Sequence, residues 1–309
     1  MASERVLVTG AGGFVGPHVV AALIEAGYRP RLAQRRPQAV PAGAEAVAIG
    51  DLAAANDWRA ALEGVDHVVH MAGLAHAGPG LDEALYRRIN TQATLELAAA
   101  AEAAGIGRFV YLSSIKALTD AADGPPLRED MQPTPGDPYG RSKLAAEQGL
   151  AALDIDWVAL RPVLIYGPGV KANMAALLRL ARLPVPLPFG GLTAPRSLLA
   201  VENLAAAVLF ALTPSCPARQ AYAVSDPEPL SVAGMLTAMR AGLGRRPGLL
   251  PVPEGWLSAL ARLAGREETF LKLAGSLVAR PERLIRAGWR PRVETKAALA
   301  RLAAANRAG

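Results

Sequence analysis

Cysteine is almost missing from this 309-residue chain; Cys216 stands alone. A single thiol can close no internal disulfide and supplies no Cys-rich zinc site, so no metal is expected. Its setting, Pro214-Ser215-Cys216-Pro217, reads as a surface loop and offers no reason for nucleophilic reactivity. Aromatic residues make up only 5%, so Ala, Leu and Val must fill the core. Charged residues are 19% against 51% hydrophobic, which excludes intrinsic disorder. Long apolar runs are also lacking. The longest, Leu204 to Leu212, falls well short of the roughly 20 residues that span a bilayer. The opening Met-Ala-Ser-Glu-Arg leads directly to Val6-Leu7-Val8, without the apolar stretch of a signal peptide. These absences point to a cytoplasmic protein with no membrane partner.

The net charge is +6, from 33 basic and 27 acidic residues. The arginines are scattered, apart from pairs such as Arg35-Arg36 and Arg245-Arg246, the latter read as a solvated turn. No nucleic-acid module is visible, so the basic balance suits a small phosphorylated anion better than a nucleic acid.

Short apolar runs alternate with Ala/Leu-rich helical stretches through the first half. Strands are expected at 5–8, 31–33, 46–49, 67–71, 109–112 and 157–160, with helices over 16–25, 85–104 and 139–152. That alternation predicts an α/β fold with a parallel sheet covered by helices on both faces. After Arg161-Pro162 the texture changes. Pro184, Pro186, Pro188 and Gly190-Gly191 mark a loop region. One more strand is expected at 197–201, then a helix from about Asn203 and a mostly helical tail. The Leu/Ala stripe from Trp256 to Leu277 reads as packing within that lobe rather than as a membrane anchor.

The first strand runs into Thr9-Gly10-Ala11-Gly12-Gly13-Phe14-Val15-Gly16. Gly10, Gly13 and Gly16 are spaced as G-x-x-G-x-x-G. A diphosphate-binding turn needs one glycine for the tight turn, one for close backbone approach and one for helix–strand packing. The diphosphate then sits at the positive N-terminus of the next helix. This predicts a doubly wound, Rossmann-type dinucleotide-binding domain over 1–165. Residues 166–309 would form a smaller, helix-rich substrate lobe, with about 196–213 returning to the first domain.

Asp137-Pro138-Tyr139-Gly140-Arg141-Ser142-Lys143 contains Tyr-x-x-x-Lys. Asp137 can cap a helix and Pro138 suits its first turn. Tyr139 and Lys143 then share one helix face. An ammonium near a phenol favours the phenolate, lowering its pKa from about 10. Ser113-Ser114, at the end of a predicted strand, adds a hydroxyl able to bond a substrate oxygen. His70 and His76 flank an Ala-Gly segment; a buried structural role is favoured over a substrate contact.

With these pieces in place, the chain resembles the extended short-chain dehydrogenase/reductases, in their nucleotide-sugar epimerase/dehydratase/reductase branch. The resemblance rests on the glycine turn, Gly50-Asp51-Leu52, His70-Met71-Ala72-Gly73, Asn90, Tyr111-Leu112-Ser113-Ser114, Tyr139 to Lys143, Leu160-Arg161-Pro162, Tyr166-Gly167-Pro168-Gly169, Arg196-Ser197 and Val201 to Ala205. It implies that Ser114 is the catalytic hydroxyl, with Ser113 as its substitute, and that Tyr139 is the general acid/base. Lys143 would hold the nicotinamide ribose and depress the phenol pKa. The turn residues Gly10, Gly12, Gly13, Phe14, Val15 and Gly16 would hold the cofactor. Asp51 and Leu52 would touch its adenine, while Ala72, Gly73, Asn90 and Pro162 would line or support its cleft. Lys171, Asn173 and Arg196 would face the diphosphate of a nucleotide sugar, and a homodimer is left open.

Two departures stand out. Relatives often follow the serine pair with a Val-Tyr-Gly type turn, whereas this chain reads Ile115-Lys116-Ala117-Leu118. The acid that selects NAD is expected near residue 34, where this chain has Gln34 followed by Arg35-Arg36. Two guanidiniums there suit a 2′-phosphate, so NADP is the expected cofactor, with NAD as the alternative. The expected activity is oxidoreduction or epimerisation at C4 of a UDP-hexose. The NADP expectation tilts it toward a 4-keto-sugar reductase over a 4-epimerase with tightly held NAD. A non-catalytic NADP-binding sensor or assembly factor is the reading from another class.

Overall fold

A strand buried on both sides must be apolar on both, and Val6, Leu7 and Val8 are all fully buried. The computed structural model describes residues 3–36, 38–75, 81–120, 124–265 and 267–306, so His76 lies outside the described residues. Seven strands form one parallel sheet: β1 (Arg5–Thr9), β2 (Arg29–Gln34), β3 (Glu45–Ala48), β4 (His67–His70), β5 (Arg108–Leu112), β6 (Trp157–Pro162) and β9 (Gln220–Val224). Their spatial order is β3-β2-β1-β4-β5-β6-β9. This is the doubly wound α/β sheet expected from the sequence. The order reverses between β1 and β4, which opens a crevice beyond the carboxyl ends of those strands.

The two sheet faces sort by the strand's period of two. Val6 and Val8 pack with Val19 and Leu23 of α1 (Gly16–Glu25) and with Leu204 and Val208 of α7 (Val201–Leu212). Leu7, between them, points the other way. It meets Val68, Phe109 and Tyr111 and the helices α4 (Ala93–Ala103) and α5 (Pro138–Ala151), through Leu97, Ala98, Ala146 and Leu150. Short helices α2 (Arg59–Leu62) and α3 (Glu83–Tyr86) complete this half. A separate apolar cluster joins α6 (Ala172–Arg182), α8 (Val232–Gly242) and α12 (Thr295–Ala305) through Leu177, Met235, Met239, Leu299 and Leu302. The remaining helices are α9 (Glu254–Leu263), α10 (Glu267–Ala274) and α11 (Glu282–Ala287).

Several details depart from the sequence reading. The strand expected at 197–201 is β8 (Leu198–Ala200), and it pairs with β7 (Leu164–Tyr166) in a two-stranded sheet of its own. The large sheet is completed instead by β9, whose unmarked Gln-Ala-Tyr-Ala-Val run carries only a weak strand signal. The helix expected over 85–104 is broken by a π-helical segment, Arg87–Gln92, between α3 and α4. Cys216 is buried rather than set in a surface loop, because the Arg108 guanidinium bonds its carbonyl oxygen at 3.1 Å and Tyr222 and Leu212 belong to the same core. The stripe from Trp256 only partly packs the lobe. Leu257 and Ala274 turn inward, while Trp256, Leu260, Leu263 and Leu271 remain exposed. Among the described residues, no helix is long and apolar enough to cross a membrane.

Candidate active site

Six of the seven strands of the sheet, all but β9, lead at their carboxyl ends into a candidate residue. β1 ends in the glycine turn. Gly10 has φ +75°, and a Cβ there would lie 2.6 Å from the Ala72 backbone nitrogen. Gly16 is closed by a different neighbour, since its Cβ would meet the Ala11 carbonyl oxygen at 2.1 Å. Gly12 faces open space and Gly13 meets only the Gly10 carbonyl at 3.3 Å, so the turn presents bare backbone outward. Helix α1 begins at once, with no side-chain cap on Val15 and no acid in its first turn. Pro17 carries no N–H and His18 N already bonds the Val15 carbonyl at 3.2 Å, so the Gly16 N–H and the positive end of the helix are what is left for an anion, which fits a dinucleotide diphosphate. Phe14 stands edge-on to His18 at 6.4 Å.

Beyond β4, Ala72 and Gly73 run between the glycine turn and α5. A Cβ on Gly73 would come 2.9 Å from Asn90 Oδ1 and 3.3 Å from Lys143 Nζ. Asn90 is fully buried within the π-helical segment. Its Oδ1 accepts from Leu74 N at 2.7 Å, and its Nδ2 donates to Leu74 O at 3.1 Å and to Ser142 Oγ at 3.0 Å. A π turn presents a side chain that regular helix would rotate away. His70 is buried between Thr9 and Thr94 hydroxyls, which supports the structural role over a substrate contact.

Ser114 follows β5 and caps the turn at 115–117, accepting from Lys116 N at 3.2 Å. Asp137 caps α5 as the sequence predicts, its Oδ1 accepting from Gly140 N at 2.6 Å, and its Oδ2 pairs with Lys116 Nζ at 2.5 Å. These contacts set the Ser114 turn against the first turn of α5. The Ser114 side chain acts on the Tyr139 phenol, pulling its pKa down. Lys143 lies one turn along, its Nζ donating to Leu112 O at 2.8 Å, 4.7 Å from the Tyr111 ring centre and 6.0 Å from that of Tyr139.

The electrostatics correct one expectation. Burial pushes the Tyr139 phenol up to about 12, against the Ser114 side chain that lowers it, and Asp137 and Tyr86 raise it further. Burial pushes Lys143 down to about 7, opposed by Glu147. Lys143 does not depress the phenol by itself, because taking both groups out of water disfavours both charges.

Sequence reasoning missed the support beneath this pair. Glu147, the residue one turn beyond Lys143, is buried with Arg161 of β6. Arg161 Nη2 reaches Oε2 at 2.5 Å and Nε reaches both carboxylate oxygens. The Ser113 hydroxyl donates to the same carboxylate, so Ser113 is turned into the structure while Ser114 faces Tyr139. The i, i+4 spacing from Lys143 was the available signal.

The remaining candidates lie elsewhere. Arg35 and Arg36 follow β2 and are exposed, and Arg35 Nη1 stands 3.6 Å from Asp51 Oδ2 after β3. Gln34 Oε1 accepts from Gln38 N at 2.6 Å, and Leu52 is half-buried. Pro162 is buried at the end of β6. Lys171 and Asn173 are exposed at the start of α6. Arg196 is half-buried, its Nη1 donating to Gly275 O at 2.8 Å.

The pattern of the NAD dependent epimerase/dehydratase family matches residues 6–224. The chain is 34% identical over 284 residues to a UDP-glucose 4-epimerase of Vibrio cholerae, covering 89% of this chain and 86% of that one. It is 33% identical over 257 residues to a 2-alkyl-3-oxoalkanoate reductase of Stenotrophomonas maltophilia (strain K279a), covering 78% and 76%. Among solved structures, MoeE5 in complex with UDP-glucose and NAD superposes with a TM-score of 0.74 at 28% identity, covering 97% of each chain. Epimerases and reductases thus both stand among its relatives, and the chain belongs to the NAD dependent epimerase/dehydratase family.

Proposed function

We propose that the protein acts at C4 of a UDP-hexose, and that 4-epimerisation is its reaction. The observation that carries this is the gathering of Ser114 at the end of β5 and of Tyr139 and Lys143 on one face of α5, with Lys143 Nζ beside Gly73 and 6.0 Å from the Tyr139 ring centre. Likeness over most of its length to a UDP-glucose 4-epimerase supports the substrate class. A bound nicotinamide supplies reversible hydride exchange with the sugar carbon. Tyr139 carries the proton of the C4 oxygen, and Ser114 shares that oxygen and orients it. Lys143 holds the ribose and adds positive charge beside the phenol, which starts from a pKa too high to release its proton readily. Gly10, Gly12, Gly13 and the α1 N-terminus hold the diphosphate of the dinucleotide, and Ala72, Gly73 and Asn90 form its floor. Lys171, Asn173 and Arg196 are the residues assigned to the sugar nucleotide's diphosphate.

A second reading, 4-keto-sugar reduction with NADPH, is favoured by Gln34-Arg35-Arg36. The Asp51 carboxylate beside Arg35 weighs against it, since it would sit near a 2′-phosphate. Purified protein is assayed with UDP-glucose, UDP-galactose and their N-acetyl forms, and with 4-keto UDP-sugars plus NADH or NADPH. Interconversion of a C4 pair without added reductant supports epimerisation. Stoichiometric NADPH consumption on keto-sugars alone replaces it with the reductase, and inactivity on both panels refutes the C4 assignment. Tyr139→Phe is expected to keep dinucleotide affinity and lose about 10²–10⁴-fold in turnover.

A further inference from the structure

His70 ends β4 with no exposure to solvent, and both its ring nitrogens are engaged. Nδ1 lies 2.7 Å from Thr9 Oγ1 and Nε2 lies 2.9 Å from Thr94 Oγ1. Proton counting gives these bonds a direction. The Thr94 hydroxyl donates its one proton to the Asn90 carbonyl at 2.8 Å. Nε2 must therefore carry a hydrogen and donate to Thr94. In a neutral ring Nδ1 is then an acceptor, and it takes the Thr9 hydroxyl proton. Thr9 Oγ1 keeps its lone pairs for the Ala72 N–H at 3.2 Å.

We propose that His70, as the uncharged Nε2–H tautomer, is a positioning residue that ties the end of β1 and the Ala72 backbone to the π-helical segment bearing Asn90. The line of bonds continues through the Asn90 amide to Leu74 and to Ser142, the neighbour of Lys143. It joins the floor of the dinucleotide crevice to the helix that carries Tyr139. A charged ring would turn two N–H donors on Thr9 Oγ1 and displace the hydroxyl proton from its acceptor. It would also set a second cation near Lys143, whose Nζ sits over Tyr111, the ring stacked on His70 at 5.9 Å. Lys143 and Tyr111 are the titratable groups that face it. Burial, followed by Lys143, holds the imidazole down at about 3, in keeping with a ring that stays neutral. The role concerns the dinucleotide site and is independent of which sugar is used.

The ring is read directly by long-range ¹H–¹⁵N spectra of the histidine-labelled chain, with His70→Gln assigning the signal among four histidines. The expected result is a protonated Nε2 and an unprotonated Nδ1, unchanged between pH 5 and pH 8. The opposite tautomer, or titration near the ordinary histidine value, overturns the proposal. The floor is read by NADH affinity, followed through nicotinamide fluorescence. His70→Leu and Thr94→Val are each expected to weaken binding about tenfold. His70→Gln, which keeps one donor and one acceptor, is expected to recover most of it. Folded Leu and Val variants with unchanged affinity overturn the positioning role. Thr94→Val decides the point if His70→Leu does not fold. A wild-type chain that binds no dinucleotide also overturns the floor's role, while the ring spectrum still judges the tautomer on its own.

Discussion

Replacing Glu147 by Met removes one carboxylate from a pair whose side chains are only 5% and 7% exposed. The Arg161 guanidinium would keep its charge and lose both acceptor oxygens, at 2.5, 3.1 and 3.2 Å. The Ser113 hydroxyl would lose its acceptor as well. Breaking a buried pair from one side costs about 3–5 kcal/mol, a large share of a typical total stability of about 5–15 kcal/mol. The double variant Glu147→Met, Arg161→Met leaves no stranded charge and is expected to recover most of the loss. Urea unfolding of the wild type, both single variants and the double variant measures this as a cycle. A single-variant loss below about 1 kcal/mol would refute the reasoning, because the pair would then be hydrated or replaceable. The same substitution has a chemical consequence. Glu147 is what opposes the burial of Lys143, so its removal lowers the ammonium below its present value of about 7. Activity at neutral pH should fall even where the variant is folded.

Gly12→Ala meets nothing within 4 Å. It should leave the melting temperature unchanged while weakening dinucleotide binding about tenfold, and unchanged affinity would place the diphosphate elsewhere. Gly16→Ala is the contrast, since a Cβ 2.1 Å from the Ala11 carbonyl forces the turn apart; both stability and binding should drop in calorimetry. Stability should fall on acidification through His70. Its folded pKa of about 3 lies below the ordinary 6.5, so the unfolded chain binds the extra proton between those values. One such group removes roughly 2–3 kcal/mol between pH 6 and pH 4, and His70→Gln should flatten that limb. If the limb is unchanged in the variant, other groups govern acid unfolding. Trp256 is 73% exposed while Trp58, Trp157 and Trp289 are buried, so Trp256→Phe should abolish iodide quenching of the native fluorescence; persistent quenching would mean another indole is open to solvent.

Local chemistry made much of the molecule legible in sequence. The strand–helix alternation, the glycine turn, the Asp137-Pro138 helix start and the Tyr139–Lys143 spacing each depend on neighbours a few residues apart, and each stands in the fold where it was expected. What needed the tertiary structure were long-range partners and the balance of solvation. β9 joins the sheet because β6 offers it a free edge, a fact no property of Gln220–Val224 announces. Cys216 is buried because Arg108, distant in sequence, reaches its carbonyl. A nearby lysine was expected to lower the Tyr139 pKa, yet burial raises it, since desolvation depends on everything packed around the phenol and not on the residue one turn away. The Glu147–Arg161 pair and the threonine-bounded ring of His70 are likewise properties of packing. A hydrogen bond exists only once strands and helices bring its donor and acceptor within 3 Å of each other.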